Sequence, residues 1–322
     1  MIYSVLNCTN PDKSIRRFIA LTDEEEMNTI INELKDNFRR GSICIQLIYI
    51  NSGVFIITTL VSVILLLFNI NITGLFHWFE LPAWPQRFLT QPWSILSYMF
   101  LHADVWHILF NMLWLYWFGA LFLQYFSAKH MRGLYLLGGI CGGLLYMLSY
   151  NLFPYFRPYL YGAFMLGASA SVLAIVAATA YREPNYPIRL LLFGTIRLKY
   201  LALIVIGTDL LFVTSNNGGG HIAHLGGALA GLWFAHALTK GTDITAWINK
   251  SIDWLTGLFA NKPTKPKMKA NYGGNRQADY DYNARKKAQN EEVDRILDKL
   301  KKSGYENLTN EEKKTLFDAS RR

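Results

Sequence analysis

Long apolar runs separated by short polar segments dominate the middle of the chain, and they predict six helices. A membrane-spanning helix needs about 20 mostly apolar residues. The runs that reach or approach this length are residues 44–68, 107–126, 131–150, 166–181, 198–214 and 222–238. The fourth and sixth are rich in Gly, Ala and Ser, which is typical of helices packed inside a membrane bundle. The pattern predicts an all-α fold, a polytopic membrane bundle with six transmembrane helices.

Charged residues lie mainly in the two ends of the chain. The 198 residues from Ile43 to Lys240 hold only 13 of the 55 charged side chains, too few for the surface of a soluble domain. The sequence is therefore divided into four segments. They are a cytosolic N-terminal segment (1–42), a six-helix membrane core (43–240), a disordered linker (241–289) and a small cytosolic helical hairpin (290–322).

The distribution of lysine and arginine predicts how the bundle is oriented. Six precede the first helix, the five connections hold one, two, one, four and none, and the tail from Lys240 holds 18. Because basic segments stay in the cytoplasm, both termini are predicted to be cytoplasmic, and helices 2, 4 and 6 to run inward from the outer side. The same rule explains the net charge of +9, so no nucleic-acid partner is expected.

The first loop, residues 69–106, is rich in aromatic side chains and nearly free of charge. It contains Trp78, Trp84, Trp93 and Trp106, and tryptophan is enriched at membrane–water interfaces. We predict that this loop lies half-submerged in the outer leaflet. The first 42 residues are polar and contain no apolar signal segment, so a multi-pass protein of a bacterial cytoplasmic membrane is expected.

Four polar residues fall near the outer ends of helices 2, 4 and 6. His107 and Asn111 lie four residues apart on helix 2, Ser169 is early in helix 4, and His224 is early in helix 6. Because the three helices run the same way, these side chains are expected at similar depth. Polar groups are costly inside a membrane, so these residues are functional candidates.

Each of these signals has a structural explanation when taken alone. The small residues around Ser169, with Ser171 nearby, are typical of a packing face, and a lone histidine near the interface is commonly just hydrated. Gly227 and Gly231, however, would let helix 6 approach the Gly/Ala/Ser face of helix 4, which would bring His224 to Ser169. A serine beside a histidine is the minimal activated nucleophile.

These motifs resemble those of the rhomboid family of intramembrane serine proteases. They are HILFN at 107–111, GASA at 167–170, and AHLGG at 223–227 followed by Gly231. The resemblance implies a Ser169–His224 dyad with no third carboxylate, an oxyanion site lined by His107 and Asn111, and cleavage of membrane proteins near their outer boundary. The glycines expected to pack helices are Gly167, Gly227 and Gly231.

The chain departs from the family pattern at three positions. Trp93 is followed by Ser94 where the family often has arginine, and Ala170 follows the serine where glycine is frequent. Leu173 stands where an aromatic ring often packs on the catalytic histidine. His224 is therefore expected to be oriented differently, by another ring.

Other functions fit the residues less well. Four outer histidines suggest a metalloprotease, but none lies in an HExxH pattern, and no metal or cofactor is expected. Asp209, near the outer end of helix 5, would suit a transporter, but the sequence contains no broken helix pair and no internal repeat. Hydration or a bond to a loop explains an acid at this position better. The stronger alternative is a non-catalytic rhomboid-like scaffold. Expected partners are transmembrane protein substrates, the lipid bilayer and an unidentified partner of the tail hairpin.

Overall fold

The computed structural model describes residues 29, 32–70, 73–190, 194–259 and 276–320. The chain divides into two compact units, residues 1–260 and 261–322. Most of the predicted N-terminal segment lies outside the described residues; within it, residues 32–40 are helical.

The six apolar runs form six helices, as predicted. They are α1 (Ile43–Leu67), α2 (Val105–Tyr125), α3 (Ala128–Leu152), α4 (Ser169–Arg182), α5 (Leu198–Leu211) and α6 (Gly218–Thr239). In the described part of the chain, four helices are long and apolar enough to cross a membrane, namely α1, α2, α3 and α6. Helices α4 and α5 have 14 residues each, about 21 Å at about 1.5 Å per residue. The molecule is a helical membrane bundle; its six spans and the location of its termini stay predictions.

Helix α4 lies in the core of the bundle, where it contacts neighbouring helices closely. Eleven consecutive residues of α4 are buried. A Cβ atom at Gly227 or Gly231 of α6 would overlap the carbonyl oxygen of Ala170 or Ala174 of α4, respectively. A Cβ atom at Gly142 of α3 would lie 2.7 Å from the Ala170 Cβ. Small residues therefore allow near backbone-to-backbone packing at these positions.

The first loop is tied to the segment that precedes α4. Strand β1 (Leu81–Pro82) pairs antiparallel with β2 (Phe164–Met165), and β2 leads directly toward Ser169. Within the loop, Trp93 Nε1 donates to the carbonyl oxygen of Trp78 at 2.8 Å, and the two indoles stack. The short helical turns here and after α3 are Thr73–Phe76, Pro85–Thr90, Ser94–Ser97, Tyr98–Phe100 and Pro154–Tyr159.

Two parts of the structure differ from the prediction. The connection between α4 and α5 forms a hairpin of β3 (Pro187–Leu190) and β4 (Gly194–Arg197), so the fold is not purely helical. The linker predicted at 241–289 contains α7 (Ala246–Phe259), and a further helix begins within it at Arg276. The division into domains stays a prediction, but this linker is more helical than its polar composition indicated.

Helix α7 is ordered by contacts with the start of α3. Ile248 and Asn249 are buried, whereas Trp247 is exposed. Asn249 Nδ2 donates to the carbonyl oxygen of Lys129 at 3.0 Å, and Asp253 accepts hydrogen bonds from the side chain of Lys129 and from Arg132 at α3. Polar side chains of α7 therefore dock this helix against α3.

Acidification is expected to weaken the docking of α7. Hydrogen bonds from Arg132 and Lys129 hold the pKa of the Asp253 carboxyl below its ordinary value. The stabilisation from a lowered carboxyl pKa is present above the unfolded value, about 3.9, and is lost as pH falls through the folded value. Amide hydrogen exchange, corrected for intrinsic rates, should show lower protection of residues 246–259 at pH 3 than at pH 6. The Asp253→Asn variant should show lower protection of these residues than the wild type already at pH 6. Equal protection of the variant and the wild type at pH 6 would contradict the docking role of Asp253.

The second compact unit contains a helical hairpin of α8 (Arg276–Ser303) and α9 (Asn310–Ser320), with a short turn at Tyr305–Asn307 between them. Gly304 follows α8 with φ of 78°, a conformation that glycine adopts without strain. The backbone N–H of Thr309 donates to Glu312 at 2.8 Å, and that of Glu312 donates to Thr309 Oγ1 at 3.3 Å. Thr309 and Glu312 therefore form a capping box at the start of α9.

Candidate active site

One cavity of about 1080 Å³ brings the predicted site residues together. It is lined by His107 and Asn111 from α2, Ser169 from α4 and His224 from α6, together with other residues. The glycine contacts between α4 and α6 hold two of these helices in place. The three separate sequence motifs therefore meet at one site.

Ser169 is the first residue of α4, and the turn before it requires glycine. Gly167 has φ of 128°, and its N–H donates to the Tyr98 carbonyl oxygen at 2.9 Å. A Cβ atom at this position would lie 2.9 Å from His107 Nε2 and 3.7 Å from Ser169 Oγ. The expectation that Gly167 packs helices is thus wrong in detail, because it lies before α4 and leaves room for the His107 ring.

Hydrogen bonds fix how His107 and Asn111 face the cavity. Asp104 caps α2 by accepting from the His107 N–H at 2.9 Å, and His107 Nδ1 accepts from the Ala103 N–H at 3.4 Å. The neutral His107 ring therefore carries its proton on Nε2, the atom near Gly167. Asn111 Nδ2 donates to the His107 carbonyl oxygen at 2.9 Å, which leaves its second N–H available. Both side chains are suitable oxyanion donors.

His102 packs beside His107. It is buried, and neither ring nitrogen has a hydrogen-bond partner in the described part of the chain. Its ring meets that of His107 edge-on, with centroids 5.1 Å apart. Burial, followed by the nearby His107, lowers the pKa of His102 to about 4. His102 is therefore neutral near pH 7 and packs against the His107 ring.

His224 is held by a carboxylate that the sequence did not assign to the site. Its Nδ1 lies 2.8 Å from Asp209 Oδ1, and the Nδ1 atom of His221 lies 2.8 Å from the same oxygen. Asp209 therefore contacts two histidines of α6, and the expectation of a hydrated or loop-bonded acid is wrong. The resemblance implied a dyad with no third carboxylate, whereas the structure places the Asp209 carboxylate beside His224.

Ser169 and His224 make no direct hydrogen bond to each other in the described part of the chain, although both line the cavity. Catalytic hydrogen bonds in unliganded enzymes are often long and tighten only when substrate binds. With Nδ1 of His224 turned to Asp209, its Nε2 is the nitrogen left to accept a proton from the Ser169 hydroxyl. The arrangement can therefore support nucleophilic catalysis.

Asp209, His221 and His224 also form a cluster with metal-ligating atoms. These atoms lie within 4.8 Å of one another, and imidazole with carboxylate is a ligand set that suits zinc. This cluster could not be predicted from spacing, because Asp209 comes from α5 and the histidines come from α6. A lone acid at the outer end of an apolar helix was the only available signal.

Comparison with known proteins places this site inside a described family. Residues 89–241 match the model of the Rhomboid domain, and residues 277–322 match a family of unknown function, DUF6576. The chain is 31% identical over 144 residues to "RHOMBOID-like protein 12, mitochondrial" from Arabidopsis thaliana. The match covers 42% of this chain and 43% of that protein. The chain thus spans less than half the length of this curated relative.

Proposed function

The chain belongs to the rhomboid family through residues 89–241, and we propose that it is an intramembrane serine endopeptidase. It cleaves transmembrane segments of membrane proteins near the outer face of the membrane. Ser169 is the nucleophile and His224 the general base, while His107 and Asn111 stabilise the oxyanion. Rhomboid proteins are usually proteases of this kind.

One observation carries the proposal. Ser169, His224, His107 and Asn111 come from three helices yet line a single cavity. A nucleophile, a base and two donors are the minimum set for acyl transfer. A packing explanation of each residue alone does not account for their convergence.

The reaction follows from the groups around this cavity. Ser169 Oγ attacks the carbonyl carbon of the scissile peptide as its proton passes to His224 Nε2. Hydrogen bonds from His107 Nε2–H, Asn111 and the Ser169 backbone N–H stabilise the oxyanion. The C–N bond then breaks as His224 returns the proton to the leaving amine. A water molecule, deprotonated by His224, hydrolyses the acyl-enzyme and releases the new carboxyl end and free Ser169.

The substrate segment must lose helical structure before it is cut, because an intact helix keeps its carbonyl groups in internal hydrogen bonds. Irregular backbone is tolerated at membrane depth where it lines a polar cavity. Residues 166–168, between β2 and α4, belong to no helix or strand, and α4 begins at Ser169 itself. These features support a substrate strand that lies along this segment during cleavage.

The orientation that suits this function has six spans with both termini in the cytoplasm. The uneven distribution of Lys and Arg supports it, and it directs the cavity toward the outer side. A bacterial cytoplasmic membrane remains our proposed location; the mitochondrial name of the Arabidopsis relative belongs to that protein.

Labelling of Ser169 by a fluorophosphonate probe tests the proposal. The full chain in proteoliposomes should be labelled once and should cleave a single-span test substrate. Ser169→Ala should lose both labelling and cleavage because the attacking oxygen is removed. Ser171→Ala is the matched control, since Ser171 is a serine of the same helix that is buried and does not line the cavity described above.

Two outcomes would contradict the proposal. Equal labelling of Ser169→Ala and the wild type would show that another group reacts. A wild type that binds transmembrane segments but neither reacts with the probe nor cleaves them would instead favour the rhomboid-like scaffold.

A further inference from the structure

Asp209 is a buried carboxylate with an unusual pair of partners. It lies near the end of α5 and is 4% exposed. Its Oδ1 atom lies 2.8 Å from the Nδ1 atoms of both His221 and His224. A buried charge without partners is costly, so these two contacts account for an acid in an otherwise apolar helix. One oxygen atom thereby joins α5 to two histidines of α6.

The contact determines which nitrogen of His224 carries the proton. An ionised carboxylate can only accept hydrogen bonds, so His224 Nδ1 donates to Asp209. The neutral ring then has its lone pair on Nε2. Because a general base must present a lone pair to the hydroxyl it activates, this tautomer is the one that serves Ser169.

Among the described residues, the hydrogen-bond partner of the His224 ring is Asp209. In the part of the chain that the structure describes, the ring packed near it is that of His221, with centroids 6.0 Å apart and planes at 84°. Leu173, one turn after Ser169, is aliphatic. The orientation of His224 therefore depends mainly on Asp209.

The geometry points to Asp209 as a positioning residue that holds His224 in the tautomer and orientation needed to activate Ser169. This inference rests on the proposed function, because it assigns Asp209 a role in the same reaction. The site becomes a chain of three groups, Asp209, His224 and Ser169. His221 bonds the same oxygen without lining the cavity, and it stabilises the carboxylate from the other side.

A divalent cation is the competing explanation for the cluster. The Asp209 Oδ2 atom is buried and has no hydrogen-bond partner among the described residues, and the three ligand atoms are close enough to bind a metal ion. A cation would occupy the Nδ1 side of His224 and would make activity depend on metal. The experiment below separates the two.

The test measures kcat, KM and the fluorophosphonate labelling rate of the full chain in proteoliposomes, using folded, monodisperse protein. Asp209→Asn should lower kcat by about 10²–10⁴-fold, because an amide can present an N–H to Nδ1 and favour the wrong tautomer. KM should stay within about threefold, since Asp209 is not among the residues that line the cavity. Labelling should slow with kcat. Asp209→Glu, which keeps the carboxylate, should be faster than Asp209→Asn.

Controls separate positioning from a structural role. Leu210→Ala changes the exposed neighbour of Asp209 on α5 and should leave kcat unchanged. The double variant Ser169→Ala/Asp209→Asn should bind substrate as tightly as Ser169→Ala alone, with the same Tm.

Three results would overturn the inference. The first is a kcat of Asp209→Asn within threefold of the wild type. The second is an equal loss of kcat in Asp209→Asn and Asp209→Glu, because retaining the carboxylate would then give no catalytic advantage. The third is loss of wild-type activity in EDTA with recovery in zinc, which would make Asp209 a metal ligand. Failure of Ser169 to label in the wild type would refute the proposed function itself, so the two failures are distinguishable.

Discussion

Replacing His224 by alanine is expected to reduce substrate cleavage by at least about 10⁴-fold, to the background of the assay. The variant keeps the Ser169 hydroxyl but has no base to remove its proton and no acid to protonate the leaving amine. The measurement is the rate at which purified protein in proteoliposomes cleaves a single-span test substrate. Binding of uncut substrate should persist, because the rest of the cavity is unchanged.

The matched control for this prediction lies on the same helix. His236 is twelve residues further along α6, and its Nδ1 lies 2.9 Å from the Tyr181 hydroxyl, away from the cavity. His236→Ala should leave the cleavage rate within about twofold of the wild type. Cleavage by His224→Ala at more than one hundredth of the wild-type rate would exclude His224 as the general base.

Replacing Gly231 by valine is expected to destabilise the whole bundle. The new Cβ would overlap the Ala174 carbonyl oxygen of α4. This oxygen belongs to the backbone, so it cannot move out of contact by a rotamer change as a side-chain atom could. The cost should reach the upper end of that for overpacked cores, on the order of 3 kcal/mol. In a domain of this size the same loss corresponds to a fall in Tm of about 6–12 °C, measured by thermal unfolding in detergent.

A second glycine provides the control for helix propensity. In α5, a Cβ at Gly207 would meet no atom within 4 Å, so Gly207→Ala should hold or slightly raise the Tm, as alanine favours helix. If Gly231→Val unfolds at the same temperature as Gly207→Ala, the tight contact between α4 and α6 does not contribute to stability.

The sequence predicts the helices well because membrane burial imposes a strong and simple pattern. An apolar run of sufficient length has few other structures available, and all six runs are helical. The contact between α4 and α6 was also predictable, since Gly227 and Gly231 are spaced one turn apart on one helix face. The convergence of Ser169 and His224 on one cavity follows from that contact.

The role of Asp209 could not be predicted in the same way. Its contact with His224 depends on the rotation of α5 about its own axis, and the apolar residues of α5 do not specify which face meets α6. His102 was missed for a similar reason, because the folding of the first loop decides its burial. Helix α7 was missed because its docking uses Asn249 and Asp253, polar residues that by composition indicate a solvated segment.

The close contact between α4 and α6 also limits how the site can move. With the glycines of α6 in contact with the backbone of α4, steric hindrance restricts sliding of one helix past the other, which keeps Ser169 and His224 in register. Little conformational entropy is then lost when substrate aligns them, a form of preorganisation that lowers the activation barrier. Any opening that admits a substrate must come from elements outside this pair, and Asp209 belongs to one of them. If α5 moved to admit a substrate, His224 would lose its contact with Asp209.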